Sequence, residues 1–336
     1  MMHMKVAWFG SSVGDKEAVL SLSPKCEYSF FDETLTQETV SLAADCDIVC
    51  VFVNGDVRKP VIDALPNLKC ITTRSTGFDH IDVAYAKERN IAVATVPSYG
   101  SRTVAEFAFG LILTLSRKIF KARLRLLEGA RFEIEDLRGI DLFGKTLGVV
   151  GTGKIGKNVV LLGRAFGMNV LAVDPYPDEA FAKTSQCRYV PLPELLSEAD
   201  VVTLHAPATK ETHHLINNNN ILRMKKGAFL INTSRGELIE TDAMVRALTS
   251  GHLGGVGLDV LEDERSLREE DESFSHSQEK IKDYKTLYED HLLMDHPNAI
   301  VTPHIAFDTD GAVREIFETT IQNIESFAVG KPQNTV

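Results

Sequence analysis

The sequence predicts an α/β protein made of two doubly wound domains, each built around a parallel sheet. Short runs rich in β-branched residues alternate with helical patterns along most of the 336 residues. This alternation is typical of βαβ units. The runs fall into two series on either side of the apolar stretch 103–120, and a chain of this length ordinarily forms two domains.

The first series contains four predicted strands and the second contains six. In the first series they are MKVAWFG (4–10), CDIVCVFV (46–53), KCITT (69–73) and IAVATV (91–96). In the second series they are TLGVVG (146–151), NVLAVDP (169–175), VVTLHAP (201–207), AFLINTS (228–234), GGVGLDV (254–260) and AIVTPH (299–304). Helical patterns such as KPVIDAL and IDVAYAKERN separate the strands, as a parallel sheet requires.

Three further segments are predicted from their composition. TVAEFAFGLILTLSRKIF (103–120) is apolar almost all round, which predicts a buried helix, either inside the subunit or against a partner subunit. Residues 311–330 have the pattern of one more helix. The strongly charged segment 262–297 predicts a solvated helical excursion over the surface, and a mobile flap over a cleft is the alternative.

Charge and composition exclude several classes of protein. The 36 Lys and Arg against 47 Asp and Glu give a formal net charge of −11. An acidic chain without a basic block is a poor candidate for nucleic acid or anionic membrane binding. The sequence also has no apolar run of the roughly 18 residues that a membrane span needs, and the N-terminus MMHMKVAWFG shows no signal peptide.

The five cysteines are odd in number, form no CxxC pair and lie mostly in apolar segments. This pattern predicts buried, reduced thiols in a cytoplasmic protein, with no disulfide frame and no metal site. The cysteines are Cys26, Cys46, Cys50, Cys70 and Cys187.

GTGKIG (151–156) lies between the apolar strand TLGVV and the helical stretch NVVLLGRAFG, which is the required context of a dinucleotide fingerprint. Gly151 allows the tight turn, Gly153 lets the backbone approach a pyrophosphate, and Gly156 lets the helix pack on the strand. The helix N-terminus offers N–H groups to the phosphates. Asp174 ends the next strand, where a carboxylate bonds the adenosine ribose and repels a 2′-phosphate. The motif predicts a Rossmann-like domain that binds NAD rather than NADP.

Three polar residues come at or just past the carboxyl ends of strands in the second series, where doubly wound sheets bind ligands. They are Arg235, Glu264 and His304. A guanidinium can hold a substrate carboxylate and oxo oxygen through paired hydrogen bonds. An imidazolium can protonate an oxo oxygen as hydride arrives, and a carboxylate can fix the imidazole tautomer and favour its charged form. Together the three predict reduction of a 2-oxo acid.

With these residues the chain resembles the D-isomer-specific 2-hydroxyacid dehydrogenase family over nearly its whole length. The resemblance rests on GTGKIG with Asp174, NTSRGELIETDA around Arg235, GLDVLEDE around Glu264, and TPHIAF around His304. Within the family it is most similar to the D-lactate dehydrogenase branch. The segments that favour this branch are RSTGFDHID (74–82), VPSYG with TVAEF (96–107), and Phe307 after HIA.

The resemblance implies how the chain is divided. Residues 1–100 and 305–336 would form a flavodoxin-like substrate-binding domain, and 101–304 would form the NAD-binding Rossmann domain. The active site would lie in the cleft between the two domains. The apolar helix at 103–120 would lie in the interface of a homodimer.

The resemblance also implies NAD as cofactor, a small 2-oxo or 2-hydroxy acid as substrate, and particular residue roles. Arg235 would orient the substrate, and Glu264 would pair with His304, the proton donor in reduction. Further substrate contacts would come from the backbone N–H groups of Thr76 and Gly77 and from Phe52, Tyr99 and Phe307. The implied cofactor contacts are Gly151, Gly153, Lys154, Ile155, Gly156, Asp174, Ala206, Pro207, Thr212, Thr233, Ser234 and Asp259.

Two alternatives to the reduction of pyruvate to D-lactate stay open. The first is a broader D-2-hydroxyacid dehydrogenase for longer or aromatic 2-oxo acids, because PSYGS (97–101), EF (106–107), Leu261 and Asp308 depart from the pattern of the lactate branch. The second is an NAD-sensing, corepressor-like binding protein. Neither a long disordered tail nor a basic patch supports that second alternative.

Overall fold

The chain forms two compact α/β units. The computed structural model describes residues 4–11, 13–22, 26–129, 132–262, 264, 267 and 284–336. Unit 1 consists of Met1–Gly100 and Asp308–Val336, and unit 2 consists of Ser101–Phe307. The second junction therefore lies after Phe307, whereas the sequence analysis placed it after residue 304. Both units contain one parallel sheet, which confirms the predicted fold class.

The sheet of unit 1 has five parallel strands in the order β2-β1-β3-β4-β5. The strands are β1 (Lys5–Phe9), β2 (Glu27–Phe31), β3 (Ile48–Val51), β4 (Cys70–Thr73) and β5 (Ala92–Ala94). The helices are α1 (Val13–Leu22), α2 (Lys59–Asp63), α3 (Val83–Glu88) and the C-terminal α11 (Asp310–Ala328), with a 3₁₀ turn at Val40–Ala43.

Both faces of the unit 1 sheet are buried, because alternate side chains of a strand point to opposite faces. Ala7 and Phe9 of β1 belong to the core on one face. Val6 and Trp8 belong to the core on the other face, where α11 covers the sheet. Trp8 stacks there on Phe317 with ring centroids 5.7 Å apart.

The sheet of unit 2 has seven parallel strands in the order β12-β11-β10-β9-β6-β7-β8. They are β6 (Thr146–Val150), β7 (Asn169–Val173), β8 (Cys187–Tyr189), β9 (Val201–Leu204), β10 (Ala228–Asn232), β11 (Leu253–Leu258) and β12 (Ala299–Val301). The helices are α4 (Ser101–Ser116), α5 (Ile119–Leu127), α6 (Lys154–Ala165), α7 (Glu179–Ser185), α8 (Leu192–Glu198), α9 (Thr241–Thr249) and α10 (Tyr284–Asp295). Residues Ile221–Arg223 and Gly236–Leu238 form 3₁₀ turns.

The structure contains two strands that the sequence analysis did not predict. These are β2 and β8, and each lies at an edge of its sheet. An edge strand has one neighbour and is covered less completely, so its sequence need not be a continuous apolar run. The burial pattern of β2, partly exposed throughout, shows this.

The helix predicted over 103–120 was wrong in its extent. The structure ends α4 at Ser116 and begins α5 at Ile119, and Lys118 between them has a left-handed backbone with φ 51°. Most of α4 is buried or partly buried, but Arg102, Glu106 and Gly110 form an exposed stripe one helical turn apart. The prediction of a helix buried all round is therefore corrected to one with a narrow exposed face.

The solvated helical excursion predicted over 262–297 is a helix in its C-terminal part, but one face of that helix is buried rather than solvated. Helix α10 buries Leu287, Glu289, Asp290 and Leu293 and packs on α9 and β12. Between residues 262 and 283 only Glu262, Glu264 and Leu267 are among the described residues, so most of the excursion and the alternative of a flap lie outside them.

All five cysteines are buried as free thiols, as predicted. Burial raises the pKa of the Cys50 and Cys70 thiols to about 12, which keeps them protonated and unreactive at neutral pH. Among the described residues, no helix is long and apolar enough to cross a membrane.

Candidate active site

The glycine motif forms the tight turn between β6 and α6 that the sequence predicts. Gly151 has φ 89°, and a Cβ on it would lie 2.7 Å from the backbone of His205 and Ala206. A Cβ on Gly156 would lie 1.9 Å from the carbonyl oxygen of Gly151, so this glycine permits the helix to approach the turn. By contrast, a Cβ on Gly153 would meet no atom of the described residues within 4 Å. The space above Gly153 is therefore open to a ligand.

The first turn of α6 lies directly behind this open space. Gly153 is the N-cap of the helix, and as a glycine it has no side chain to bond the N–H groups of the first turn. Lys154 begins the helix with an exposed side chain, whereas the partly buried side chain of Ile155 packs against the apolar core. Unpaired N–H groups at a helix N-terminus bind phosphate oxygens, so the turn fits a pyrophosphate.

Asp174 follows β7 and is held in place by hydrogen bonds from two loops. Its Oδ2 accepts from the Thr152 N–H (2.7 Å) and hydroxyl (3.0 Å), and its Oδ1 accepts from the Tyr176 N–H (2.9 Å). Burial acts to raise the pKa of Asp174, but these hydrogen bonds outweigh it and hold the pKa below its usual value. The carboxylate is therefore ionised and fixed beside the glycine turn, as a ribose contact requires.

The loops after β9 and β10 are tied together next to this turn. The Ser234 hydroxyl donates to the carbonyl of Ala206 over 2.5 Å. The Thr212 hydroxyl donates to the carbonyl of Pro207 over 2.6 Å, so it shapes its own loop. The Thr233 hydroxyl is buried and has no hydrogen-bond partner among the described residues. A buried polar group without a partner is costly, and a bound ligand that bonded Thr233 would relieve that cost.

His205, in the same loop, is a poor candidate for the proton donor. Desolvation lowers its pKa to about 3, so the ring stays neutral at working pH. Its Nε2 shares a hydrogen bond of 2.8 Å with the Thr203 hydroxyl. The predicted strand VVTLHAP includes this histidine without a predicted role, and its Nδ1 is buried with no hydrogen-bond partner among the described residues.

The three residues predicted for chemistry follow three neighbouring strands. Arg235 follows β10, Glu264 follows β11 and His304 follows β12, in a sheet where β11 lies between the other two. The Arg235 Nη1 donates to the carbonyl of Ser234 over 2.8 Å. A Cβ on Gly236 would lie 1.9 Å from the carbonyl oxygen of Leu261, so the loop that carries Arg235 closely approaches the segment that leads to Glu264.

The His304 ring is hydrogen bonded to Glu264. The distance from His304 Nδ1 to Glu264 Oε2 is 3.0 Å, and both side chains are mostly buried. A carboxylate accepts, so Nδ1 carries a proton and Nε2 is the nitrogen available to exchange one with a substrate. Phe307 lies edge-on to the imidazole with ring centroids 6.4 Å apart. His304 has φ 56°, a left-handed backbone that a residue with a Cβ adopts only where its surroundings hold it there.

Asp259 supplies that support, a role that the sequence analysis missed. The resemblance implied a cofactor contact for it, but its buried carboxylate accepts from the Thr302 hydroxyl (2.6 Å) and from the N–H groups of Ile305 (2.9 Å) and Ala306 (2.8 Å). Its carbonyl accepts from the His304 N–H over 2.9 Å. Desolvation raises the pKa of Asp259, against the lowering effect of these bonds. The sequence shows a carboxylate after β11 and a loop after β12. It does not show that the carboxylate accepts hydrogen bonds from that loop.

In unit 1 the predicted substrate loop is fixed by a chain of hydroxyl groups. The Ser75 hydroxyl donates to the carbonyl of Gly77 over 2.6 Å. Because its hydrogen is used there, Ser75 must accept from the Thr73 hydroxyl at 2.6 Å. Thr73 must then accept from His80 Nε2 at 3.2 Å, which assigns a proton to that nitrogen. RSTGFDHID (74–82) favoured the lactate branch, but the sequence did not predict these hydrogen bonds of Ser75, Thr73 and His80.

The other residues predicted to contact substrate lie around the same end of the unit 1 sheet. Thr76 is exposed, and its hydroxyl donates to the carbonyl of Val96 over 2.7 Å. Phe52 is partly buried beside Arg74, whose guanidinium carbon lies 5.5 Å from the ring centroid. Tyr99 is partly buried near the end of the first segment of unit 1. Their contacts with substrate stay a prediction.

Comparison with known proteins now assigns the family. The model of the "D-isomer specific 2-hydroxyacid dehydrogenase, NAD binding domain" family matches residues 109–306. The chain belongs to the D-isomer-specific 2-hydroxyacid dehydrogenase family. It is 43% identical to 2-hydroxyacid dehydrogenase A of Aspergillus oryzae, over 97% of this chain and 93% of that protein. It is 39% identical to the D-lactate dehydrogenase of Escherichia coli, over 98% of both chains.

A solved structure supports the same assignment. The D-lactate dehydrogenase of Aquifex aeolicus, whose structure was determined with NAD and lactic acid, is 35% identical, with a TM-score of 0.89. The match covers 97% of this chain and 96% of that chain. The protein is therefore an NAD-dependent 2-hydroxyacid dehydrogenase of the D-specific family. The matched NAD-binding domain lies within unit 2, the unit that contains the glycine turn and Asp174.

The residues of unit 2 fit NAD in this dehydrogenase. The open space above Gly153 and the first turn of α6 suit the pyrophosphate, and the fixed carboxylate of Asp174 suits a ribose diol. The Thr233 hydroxyl, which no described residue bonds, offers a further hydrogen bond. When bound, NADH supplies the hydride of the reaction. The remaining chemistry falls to the side chains of the protein.

Proposed function

We propose that this enzyme reduces a small 2-oxo acid to the D-2-hydroxy acid with His304 as proton donor, and that pyruvate is the favoured substrate. The observation that carries the proposal is the hydrogen bond of 3.0 Å between His304 Nδ1 and Glu264 Oε2. It joins an imidazole and a carboxylate at the carboxyl ends of neighbouring strands in the NAD-binding unit. Binding and chemistry concentrate at these strand ends in open α/β sheets.

His304 would hold and deliver the proton at Nε2. With Nδ1 bonded to Glu264, the ring is fixed in one orientation, and the carboxylate stabilises the positive charge of the protonated imidazole. In reduction the Nε2–H bond breaks and the proton goes to the oxo oxygen, which becomes the hydroxyl of the product. In the reverse direction Nε2 accepts that proton. The ring is neutral after reduction and regains a proton from solvent.

Arg235 would bind and orient the substrate. A guanidinium is always charged and carries N–H donors in a plane, so it can bond a carboxylate and a neighbouring oxo oxygen together. Its bond to the carbonyl of Ser234 restrains the side chain. The close approach of Gly236 to Leu261 restrains the loop. Both restraints act before substrate binds, and orientation of this kind contributes strongly to rate.

The substrate preference rests on the size of the predicted wall residues. Phe52, Tyr99 and Phe307 are aromatic, which favours a 2-oxo acid with a small side chain such as pyruvate. A single wall residue changes such discrimination by only ~1–3 kcal/mol. The broader activity on longer or aromatic 2-oxo acids is therefore the competing outcome of the experiment below.

The first experiment measures NADH oxidation with pyruvate, 2-oxobutyrate, 2-oxoisocaproate, phenylpyruvate, glyoxylate, hydroxypyruvate and oxaloacetate, followed by chiral analysis of the product. The His304→Gln variant is measured beside wild type, and His291→Gln, which changes an exposed histidine of α10, is the matched control. Loss of the general acid is expected to lower kcat by ~10²–10⁴-fold, with NADH binding retained. The control is expected to keep its activity.

A highest kcat/KM for pyruvate with D-lactate as product supports the full proposal. Highest kcat/KM for a bulky acid contradicts the pyruvate preference and leaves the proton donor in place. Full activity of His304→Gln contradicts the role of His304. If NADH binds and no 2-oxo acid turns over, the enzyme proposal fails and the NAD-sensing alternative takes its place.

We also propose that the enzyme is a homodimer, with an interface that includes Ile119 and Phe120, the last two residues of the predicted helix at 103–120, and continues along α5 and the segment after it. Among the described residues of unit 2, nine exposed large apolar side chains lie between Ile119 and Phe143. Helix α5 and the segment after it are joined by the bond from Arg125 Nη1 to the carbonyl of Glu135, 2.6 Å long. The exposed apolar residues there include Ile119, Phe120, Leu127, Phe132 and Ile134, and Phe132 and Ile134 are 92% and 88% exposed. Apolar surface of this extent marks an interaction site.

Sedimentation of wild type and of the double variant Phe132→Asp, Ile134→Asp tests this proposal. We expect the mass of a dimer for wild type and a shift toward monomer for the variant. Leu161→Asp, at a single exposed apolar residue of α6, is the control. A monomeric wild type, or a variant that remains dimeric, contradicts the placement.

A further inference from the structure

Two histidines and a glutamate of unit 2 form a cluster that the reduction does not use. His214 Nε2 lies 2.5 Å from Glu262 Oε1. The ring of His213 lies beside that of His214, with centroids 4.0 Å apart and an angle of 35° between the planes. One nitrogen of each histidine and one carboxylate oxygen of Glu262 all lie within 4.8 Å of one another. Three such atoms can converge on a single ion after small side-chain rotations.

The carboxylate of this cluster is oriented by a second set of contacts. Glu262 Oε2 accepts from the Thr241 hydroxyl over 2.6 Å and from the Thr241 N–H over 3.2 Å. Thr241 is buried at the start of α9, so its position is fixed by the helix. Carboxylates that bind metal ions are held by outer hydrogen bonds of this kind. These contacts leave Oε1 directed at the histidines.

The backbone of His214 is held in an unusual conformation. Its φ of 49° is in the left-handed region, which a residue with a Cβ rarely adopts. Hydrogen bonds hold it from both sides, from its N–H to the carbonyl of Glu237 and from Asn217 Nδ2 to its carbonyl, each 2.8 Å long. Backbone strain that the surroundings enforce is characteristic of functional sites. Here it places the ring of His214 against both His213 and Glu262.

We propose that His213, His214 and Glu262 bind one transition-metal ion of the Zn²⁺ class. Two imidazole nitrogens and one carboxylate oxygen are a ligand set that Zn²⁺ uses, with a fourth position left for water. The ion would replace the proton shared by His214 and Glu262, and His213, which is exposed, would rotate to complete the set. Hard ions such as Mg²⁺ and Ca²⁺ prefer all-oxygen ligands and fit this cluster poorly.

Such an ion would join two loops that adjoin the candidate active site. His213 and His214 come directly after Thr212, in the loop that follows β9. Glu262 precedes Glu264, the partner of His304, by two positions. Metal binding would therefore restrain the segment that carries Glu264. Because a protonated imidazole nitrogen cannot bind a metal ion, the affinity would fall as the pH is lowered.

The test uses the full chain after treatment with a chelator. Zn²⁺ binding is measured by titration calorimetry, and Co²⁺ binding is measured by the visible absorption that a low-coordinate cobalt site with nitrogen ligands produces. We expect one ion per chain, and at least tenfold weaker binding for His213→Ala, which changes an exposed side chain and leaves the bonds between His214, Glu262 and Thr241 intact. His291→Ala, at an exposed histidine of α10, is expected to bind as wild type does.

Glu262→Gln provides a second variant with the carboxylate charge removed and the hydrogen-bonding shape kept. We expect it too to lose Co²⁺ absorption, with thermal unfolding measured to show that the fold is retained. Equal binding by wild type and His213→Ala overturns the proposal, as does the absence of a saturable site in wild type. His214 and Glu262 would then be an ion pair that fixes the segment before Glu264. Both measurements are made without substrate, so they do not depend on which 2-oxo acid is reduced.

Discussion

The glycine turn allows a matched pair of substitutions that separate cofactor binding from folding. Gly153→Ala places its Cβ where the part of the chain that the structure describes has no atom within 4 Å. Gly156→Ala places its Cβ 1.9 Å from the Gly151 carbonyl oxygen. Gly153 has φ −65° and ψ −162°, which alanine adopts without strain. We therefore expect Gly153→Ala to fold normally and bind NADH poorly, and Gly156→Ala to lose stability.

The magnitudes follow from these contacts. At Gly156 the clash is with backbone, which cannot rotate away, so the helix must move by about 1 Å. Overpacking of this kind lowers the free energy of unfolding by ~3 kcal/mol. Replacing a helical glycine by alanine raises it by ~1 kcal/mol. The net loss of ~2 kcal/mol corresponds to a fall in Tm of ~4–8 °C for a unit of this size. At Gly153, alanine is a poorer N-cap, which lowers stability, and it makes the unfolded chain less flexible, which raises stability. The two effects nearly cancel, so the free energy of unfolding should change by no more than ~0.5 kcal/mol.

Differential scanning calorimetry and NADH fluorescence titration measure the two effects. For Gly153→Ala we expect an unchanged Tm and at least tenfold weaker NADH binding, which is a loss of ~1.4 kcal/mol or more. Normal NADH affinity in this variant would refute the placement of the pyrophosphate above Gly153. An unchanged Tm for Gly156→Ala would refute the close approach between the helix and the turn.

Three further predictions concern individual polar groups. Asp174→Ala should weaken NADH binding and narrow the preference for NADH over NADPH in paired kinetic titrations. Because the folded pKa of Asp174 lies below its unfolded value, the ionised carboxylate should stabilise the wild-type fold above the ordinary carboxyl pKa near 4. Wild type should lose this stabilisation as the pH falls through the folded pKa, and the variant should not show that loss. Asp259→Asn should leave the buried N–H of Ala306 facing an amide donor, which should lower the free energy of unfolding in urea by ~1–3 kcal/mol. The variant should lower kcat more than it raises KM for NADH. An unchanged kcat would contradict the support that Asp259 gives to His304. Ser75→Ala should remove the hydrogen bond to the carbonyl of Gly77 and raise KM for the 2-oxo acid, with NADH affinity unchanged. Ser75→Thr keeps the hydroxyl and should raise KM less. Equal KM values in wild type and both variants would show that this loop does not affect substrate binding.

The positions of most strands could be read from the chain because both faces of each sheet are covered. A strand covered on both faces needs a continuous apolar run, which is visible without knowledge of its neighbours. The two strands that were missed, β2 and β8, lie at sheet edges, where this requirement is weaker. The break in the long apolar helix was missed for a related reason. Lys118 adopts its left-handed conformation in the folded chain, and nothing in its own identity requires it.

The candidate site, like the fold, has features that the sequence predicted and features that it did not. The glycines of GTGKIG, the acid after the next strand and the three polar residues at strand ends were evident because each position is set by its distance from a strand end. Which side chains bond to one another was not evident, since the partners are far apart in sequence. His304 and Glu264 are 40 positions apart, and Asp259 reaches Ala306 over 47. The cluster of His213, His214 and Glu262 has the same character, because Glu262 is 48 positions from His214.

By itself, then, the sequence determined the fold class and the cofactor, and it predicted the residues proposed for the reduction. These depend on local patterns, namely apolar runs, glycine positions and the residue type after each strand. The tertiary structure alone decided that the buried carboxylate of Asp259 supports the loop of His304, that hydroxyl groups fix the loop around Gly77, and that a second histidine cluster forms beside Glu262. Those contacts arise where loops from different strands converge at one edge of a sheet, and the path of each loop depends on all the others.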